Sequence, residues 1–191
     1  MIDKQFAAYA AQRRRVNTFN DFLWNTTKKA RKSLLLATGL GGVQVMEGSL
    51  DISIIRDGIV YPFGCVGHKV ITTAFAEFVV DQLISESSVF GDFKYHEIGT
   101  GTTAENKTDT ALETYVEART AGTQVEDSSM VYKSVASISI TDTRAITEHG
   151  IFNHATHGSG TLMDRTVFAA VNLVSGDVFE ATYKLTVSDN T

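Results

Sequence analysis

The end of the chain alternates. Phe179, Ala181, Tyr183, Leu185 and Val187 are separated by Glu180, Thr182, Lys184 and Thr186. A period of two fits an extended strand with one buried and one wet face, and no helix can satisfy it. Tyr132, Ala136, Ile138 and Ile140 form a similar row, broken by Ser134. Residues 93–98, 146–153 and 161–173 read as further strands. Gly158-Ser159-Gly160 and Ser175-Gly176-Asp177 turn the chain between them. Strands joined by turns, with no helix between them, imply an antiparallel β-sandwich, jelly-roll-like in type. Residues 99–110 and 122–129 read as longer loops.

Upstream the pattern is different. Asp57-Gly58 is a tight hairpin signal, separating a strand over 50–56 from one over 59–65. Pro62, the sole proline, predicts that the second strand is short or lies at an edge. Val70, Ile71, Ala74, Phe75, Phe78, Val79 and Leu83 recur at spacings of three and four, which predicts a helix near 69–84 covering the sheet. A second, amphipathic helix is expected earlier. Thr18-Phe19-Asn20-Asp21 resembles a capping box, and Phe19, Phe22, Leu23, Ala30 and Leu34 follow at helical spacing. Gly39-Leu40-Gly41-Gly42 would stop it. The expected organisation is therefore an N-terminal arm over 1–42 and a β-sandwich body over 43–191.

Charge separates the same two parts. Residues 1–32 hold eight basic and two acidic side chains, a balance of +6 within a chain of net charge −5, so the remainder carries −11. A basic arm on an acidic body suggests docking to an acidic surface, either a partner or another copy. Arg13, Arg14, Arg15, Trp24, Lys28, Lys29, Arg31 and Lys32 are the candidate contact residues. Nucleic acid is the disfavoured rival, because the body would repel it. No run is long and apolar enough to span a bilayer, so no membrane role is expected. The single cysteine, Cys65, excludes an intrachain disulfide and fits synthesis in a reducing cytoplasm.

Several residues invite a catalytic or metal reading. His149, His154 and His157 cluster in sequence, but their spacing matches no zinc motif. On a strand His149 and His154 would face opposite sides. Gly99-Thr100-Gly101-Thr102-Thr103 lacks the Gly-Lys-Ser/Thr of a phosphate loop and the third glycine of a dinucleotide loop. Cys65 and His68 are near in sequence, but a nucleophilic pair needs contact and an orienting group. Asp164 and Arg165 read as cross-strand ion pairing with Arg144 or Glu148, worth at most about 1 kcal/mol. No catalytic residue, cofactor or metal is expected.

The stretch from Tyr95 onward resembles virion structural proteins of tailed bacteriophages. The resemblance rests on Tyr95-His96-Glu97-Ile98-Gly99-Thr100-Gly101-Thr102-Thr103-Ala104-Glu105 and Asp109-Thr110-Ala111-Leu112. It continues through Arg144-Ala145-Ile146-Thr147-Glu148-His149-Gly150-Ile151-Phe152, Leu162-Met163-Asp164-Arg165-Thr166-Val167-Phe168 and Val171-Asn172-Leu173-Val174-Ser175-Gly176-Asp177. It implies a head decoration, or cement, protein on the exterior of the phage head. Its implied partners are the major capsid protein and further copies of itself, in a homotrimer. A tail or fibre component is the alternative. The resembling residues are those of fold and turns, so the resemblance implies no catalytic residues.

Overall fold

The protein is described by a computed structural model over residues 45–83 and 92–188. Residues Met46–Val187 form one compact unit. In chain order the elements are β1 (Val45–Arg56), β2 (Ile59–Ile71), α1 (Thr73–Leu83), β3 (Tyr95–Gly99), β4 (Thr120–Ala121), β5 (Thr123–Ser128), β6 (Val131–Ser139), β7 (Arg144–Phe152), β8 (Leu162–Leu173) and β9 (Val178–Ser188). The fold is mainly β, with two antiparallel sheets and one helix among the described residues.

The strand order is β4-β3-β7-β8-β2-β1-β9-β6-β5. β2 belongs to both sheets. Its first part pairs with β1, while Val70 and Ile71 pair with Arg165 and Asp164 of β8. Two register shifts against β1 let the strand bend: Val66 and Phe63 are each passed over, and Gly64 between them has φ +66°. A bulge leaves one residue unpaired and sharpens the local twist, so the strand can leave one sheet for the other. The opposite ends of the order, β4 and β5, are separated only by Gly122. Continuous chain thus links the two sheets on both sides. At Gly122 a Cβ would overlap Ser134 Oγ and His96 Nε2, so only glycine lets the backbone pass this close.

The alternating rows pack inward. Phe179, Ala181, Tyr183 and Leu185 of β9 are buried, as are Ala136 and Ile138 of β6. Tyr183 and Leu185 join Phe75, Phe93, Ile151 and Met163 in one cluster fed by both sheets and by α1. Phe93 meets Phe75 and Phe78 edge-on, with centroids 5.0 and 4.9 Å apart. Each large apolar side chain buried here stabilises the fold by roughly 1.5–3 kcal/mol.

Three sequence expectations are corrected. The helix expected from 69 begins at Thr73, because Val70 and Ile71 complete β2. Thr72 is the cap: its Oγ1 accepts the Phe75 N–H at 3.1 Å, and its own N–H donates to Met163 O. Residues 123–128, expected as loop, form β5. Most of its side chains are exposed, which erased the hydrophobic alternation. β2 is 13 residues long rather than short, and of the two expected alternatives for Pro62 the edge fits: among the described residues that part of β2 pairs with β1 alone. The helix expected within the arm lies outside the described residues.

Candidate functional site

Strands β3, β7 and β8 place two different chemistries on their two faces. Register puts Glu97, Gly150 and Arg165 side by side, with Gly99 and Glu148 next along. His96, Ile151 and Asp164 share the other face, followed by Ile98, His149 and Thr166. Ile151 belongs to the core cluster, so this second face is the inner one.

On the outer face Glu148 is fully buried. Its Oε1 accepts the N–H groups of Gly101 (2.9 Å) and Thr114 (2.8 Å). Its Oε2 accepts Glu113 N–H (3.0 Å) and Arg165 Nε (2.9 Å). Four donors saturate the carboxylate. Arg165 reaches on to Asp109 Oδ2 at 2.9 Å, and Thr147 Oγ1 donates to Gly101 O at 2.7 Å. The connection between β3 and β4 is thereby fastened to the sheet at Gly101, Asp109, Glu113 and Thr114. Glu113 in turn accepts from Thr102 N–H, Thr103 N–H and Thr103 Oγ1 at 2.9 Å each, and these bonds lower its pKa.

A second clamp holds the β7–β8 connection. Glu97 and Arg119 form a buried pair, Arg119 Nε to Glu97 Oε1 at 3.0 Å, with side chains 0% and 1% exposed. Arg119 Nη1 donates to the carbonyls of His154, Thr156 and Ser159. Its guanidinium lies 3.5 Å from the centre of the Phe152 ring. His157 Nδ1 contacts Glu97 Oε1 at 2.8 Å. Burying charge costs several kcal/mol per ion unless paired and hydrogen-bonded. Here the pairing fixes loops rather than an apolar interior.

The two clamps meet at one point. Tyr115 follows the Glu148-held residues Glu113 and Thr114, and its backbone bridges Gly99. Its ring stacks on the His157 imidazole, with centroids 3.5 Å apart and planes at 23°. Tyr115 is 48% exposed and is the one aromatic among the exposed large hydrophobic residues described. A rigid, exposed aromatic loses little conformational entropy when a partner covers it.

The inner face holds a different group. His96 Nδ1 lies 2.9 Å from His149 Nε2, and His96 Nε2 lies 2.8 Å from Ser134 Oγ. Tyr183 OH donates to Asp164 Oδ2 at 3.4 Å. A serine, two imidazoles and a carboxylate suggest a nucleophilic relay. However, His96, His149, Ser134, Asp164 and Tyr183 are all at most 1% exposed, so as described the group tethers one sheet to the other. Burial lowers the His96 pKa to about 3 and, with Asp164 beside it, raises that of Tyr183 well above the ordinary range.

The sequence candidates fall as follows. Arg13, Arg14, Arg15, Trp24, Lys28, Lys29, Arg31 and Lys32 lie outside the described residues. His149 is in the core, whereas His154 and His157 sit in the β7–β8 connection. Among the described residues no three His, Cys, Asp or Glu side chains converge as a metal cluster. The Gly99–Gly101 segment is pinned by Glu148, and Cβ atoms at both glycines would overlap that carboxylate. Cys65 Sγ approaches Gly67 O at 3.5 Å. Arg165 does pair with Glu148 across the sheet, and at 4% and 0% exposure the pair is buried. Arg119 and Tyr115 carried no sequence signal, because they stand in a polar connection without periodicity. No helix among the described residues is long and apolar enough to cross a membrane.

Comparison with protein-family models, curated proteins and solved structures finds no match for this chain.

Proposed function

We propose that this chain is a non-enzymatic virion structural protein of a tailed phage. In this reading it is a capsid decoration protein that binds the outer surface of the head and stabilises capsomer contacts. The body is a jelly-roll-like β-sandwich preceded by a basic helical arm. The observation behind this reading is where the phage-like motif residues sit. Glu97, Gly99, Gly101, Asp109, Glu148 and Arg165 all belong to the two buried clamps. A motif spent on holding loops rigid suits a body repeated many times on a shell, where many modest contacts add up.

The arm is the proposed grip, through Arg13–Arg15 and Lys28–Lys32, on the major capsid protein or on a neighbouring copy in a trimer. Deleting residues 1–32 should leave the body folded and abolish binding to expanded, undecorated shells in a co-sedimentation assay. Normal decoration by the truncated protein contradicts the assignment of the grip to the arm.

The second reading is a tail or fibre component. One observation favours it: the Tyr115–His157 stack is a rigid exposed aromatic on a loop rim, the kind of surface a host-contacting module presents.

A further inference from the structure

Two histidines three residues apart carry opposite proton arrangements. His154 Nδ1 accepts the Thr156 N–H at 3.1 Å, so in the neutral ring the proton is on Nε2. His157 Nδ1 faces the Glu97 carboxylate at 2.8 Å, and a carboxylate only accepts. The proton of neutral His157 therefore sits on Nδ1, and Nε2 keeps its lone pair. The His157 side chain is 38% exposed, while Glu97 behind it is 0% exposed. Tyr115 on its face and Arg119 on the adjoining carbonyls hold the ring's orientation.

A carboxylate hydrogen-bonded to one imidazole nitrogen, with the other nitrogen free, is the arrangement that orients metal-binding histidines and raises their basicity. Glu97 Oε1 is shared between His157 Nδ1 and Arg119 Nε, which fixes the carboxylate against the ring, and among the described residues Oε2 has no hydrogen-bond partner. We propose that His157 is a transition-metal ligand, taking a divalent ion of the zinc, nickel or copper class at Nε2, and that His154 is not. Water completes the coordination shell, because no three protein ligands converge among the described residues. The ion replaces water at a lone pair already present, so neutral His157 releases no proton on binding. His154 would have to surrender the Thr156 bond to offer its own Nε2. The proposal goes beyond the virion role and does not depend on it.

The test is a titration of the full chain with Zn²⁺ alone, followed through the imidazole ¹⁵N and ¹H resonances. The expected result is a metal-dependent shift at His157 Nε2 with His154 unchanged. His157→Gln should remove that binding, and His154→Gln should keep it within about twofold. A synthetic peptide of residues 153–161 lacks the Glu97 backing and should bind about 10–100-fold more weakly. Binding centred on His154, equal affinity of peptide and protein, or no zinc-dependent shift at His157 would each overturn the proposal. If His157→Gln does not fold, the wild-type resonances and the peptide comparison decide it.

Discussion

At the scale of the residue, Glu148 and His96 hold the interior in different ways. Glu148 accepts four hydrogen bonds there, one of them from the Arg165 guanidinium. Glu148→Ala leaves Arg165 buried against an empty site and frees Gly101, Glu113 and Thr114. Removing one partner of a buried pair costs about 3–5 kcal/mol, so the urea midpoint should fall by that equivalent. A loss below about 1 kcal/mol would show that the clamp is not structural.

His96 must be neutral. Its folded pKa is about 3 against an ordinary 6.5, through burial. Between those values the unfolded chain binds a proton that the folded chain refuses. The His96 contribution is therefore fully present above about pH 6.5 and is lost as pH falls toward 3, at up to about 1.4 kcal/mol per pH unit. Urea melts from pH 7 to 4 should show this slope, and a pH-independent midpoint would contradict it.

At the scale of the element, the links between the sheets were harder to read than the strands. Alternation made β6 and β9 legible, and Asp57-Gly58 marked the β1–β2 turn, where Asp57 does take φ +52°. The sequence pattern ends β2 early because its bulges interrupt the period and its end resembles the start of a helix. β5 was invisible because its side chains are wet. The clamps were half legible: Glu97, Gly101, Asp109, Glu148 and Arg165 stand in the stretches that carry the resemblance, but Glu113, Thr114, Arg119 and His157 do not, and only folding brings position 148 to 101, 113, 114 and 165. Gly122 tests the seam. Gly122→Ala puts a methyl against Ser134 and His96, and overpacking of this kind costs about 1–3 kcal/mol. Hydrogen exchange should report the loss first in β4, β5 and the facing part of β6. Wild-type protection there would mean that the seam tolerates a side chain.

At the scale of the whole molecule, chemistry is segregated. The described body buries Glu97, Glu148 and Arg165 in two clamps, Asp177 against Arg56 and its histidine pair between sheets, and it exposes Tyr115 and His157 on fixed loops. The +6 of residues 1–32 opposes a remainder of −11, and in the proposed reading this contrast draws the arm to an acidic partner or to the body of a neighbouring copy. Such contacts are screened by salt. Decoration of shells should therefore weaken as ionic strength rises, and co-sedimentation at low and high salt checks this. Salt-insensitive binding would assign the grip to apolar contacts instead.

The central claim, a virion protein of the head exterior, is tested most directly by cryo-electron microscopy of intact particles carrying a tagged copy of this chain. The account predicts tag density repeating over the outer shell lattice, at a copy number that follows the capsomers. Tag density confined to the tail or fibres, or absent from purified particles, would contradict it.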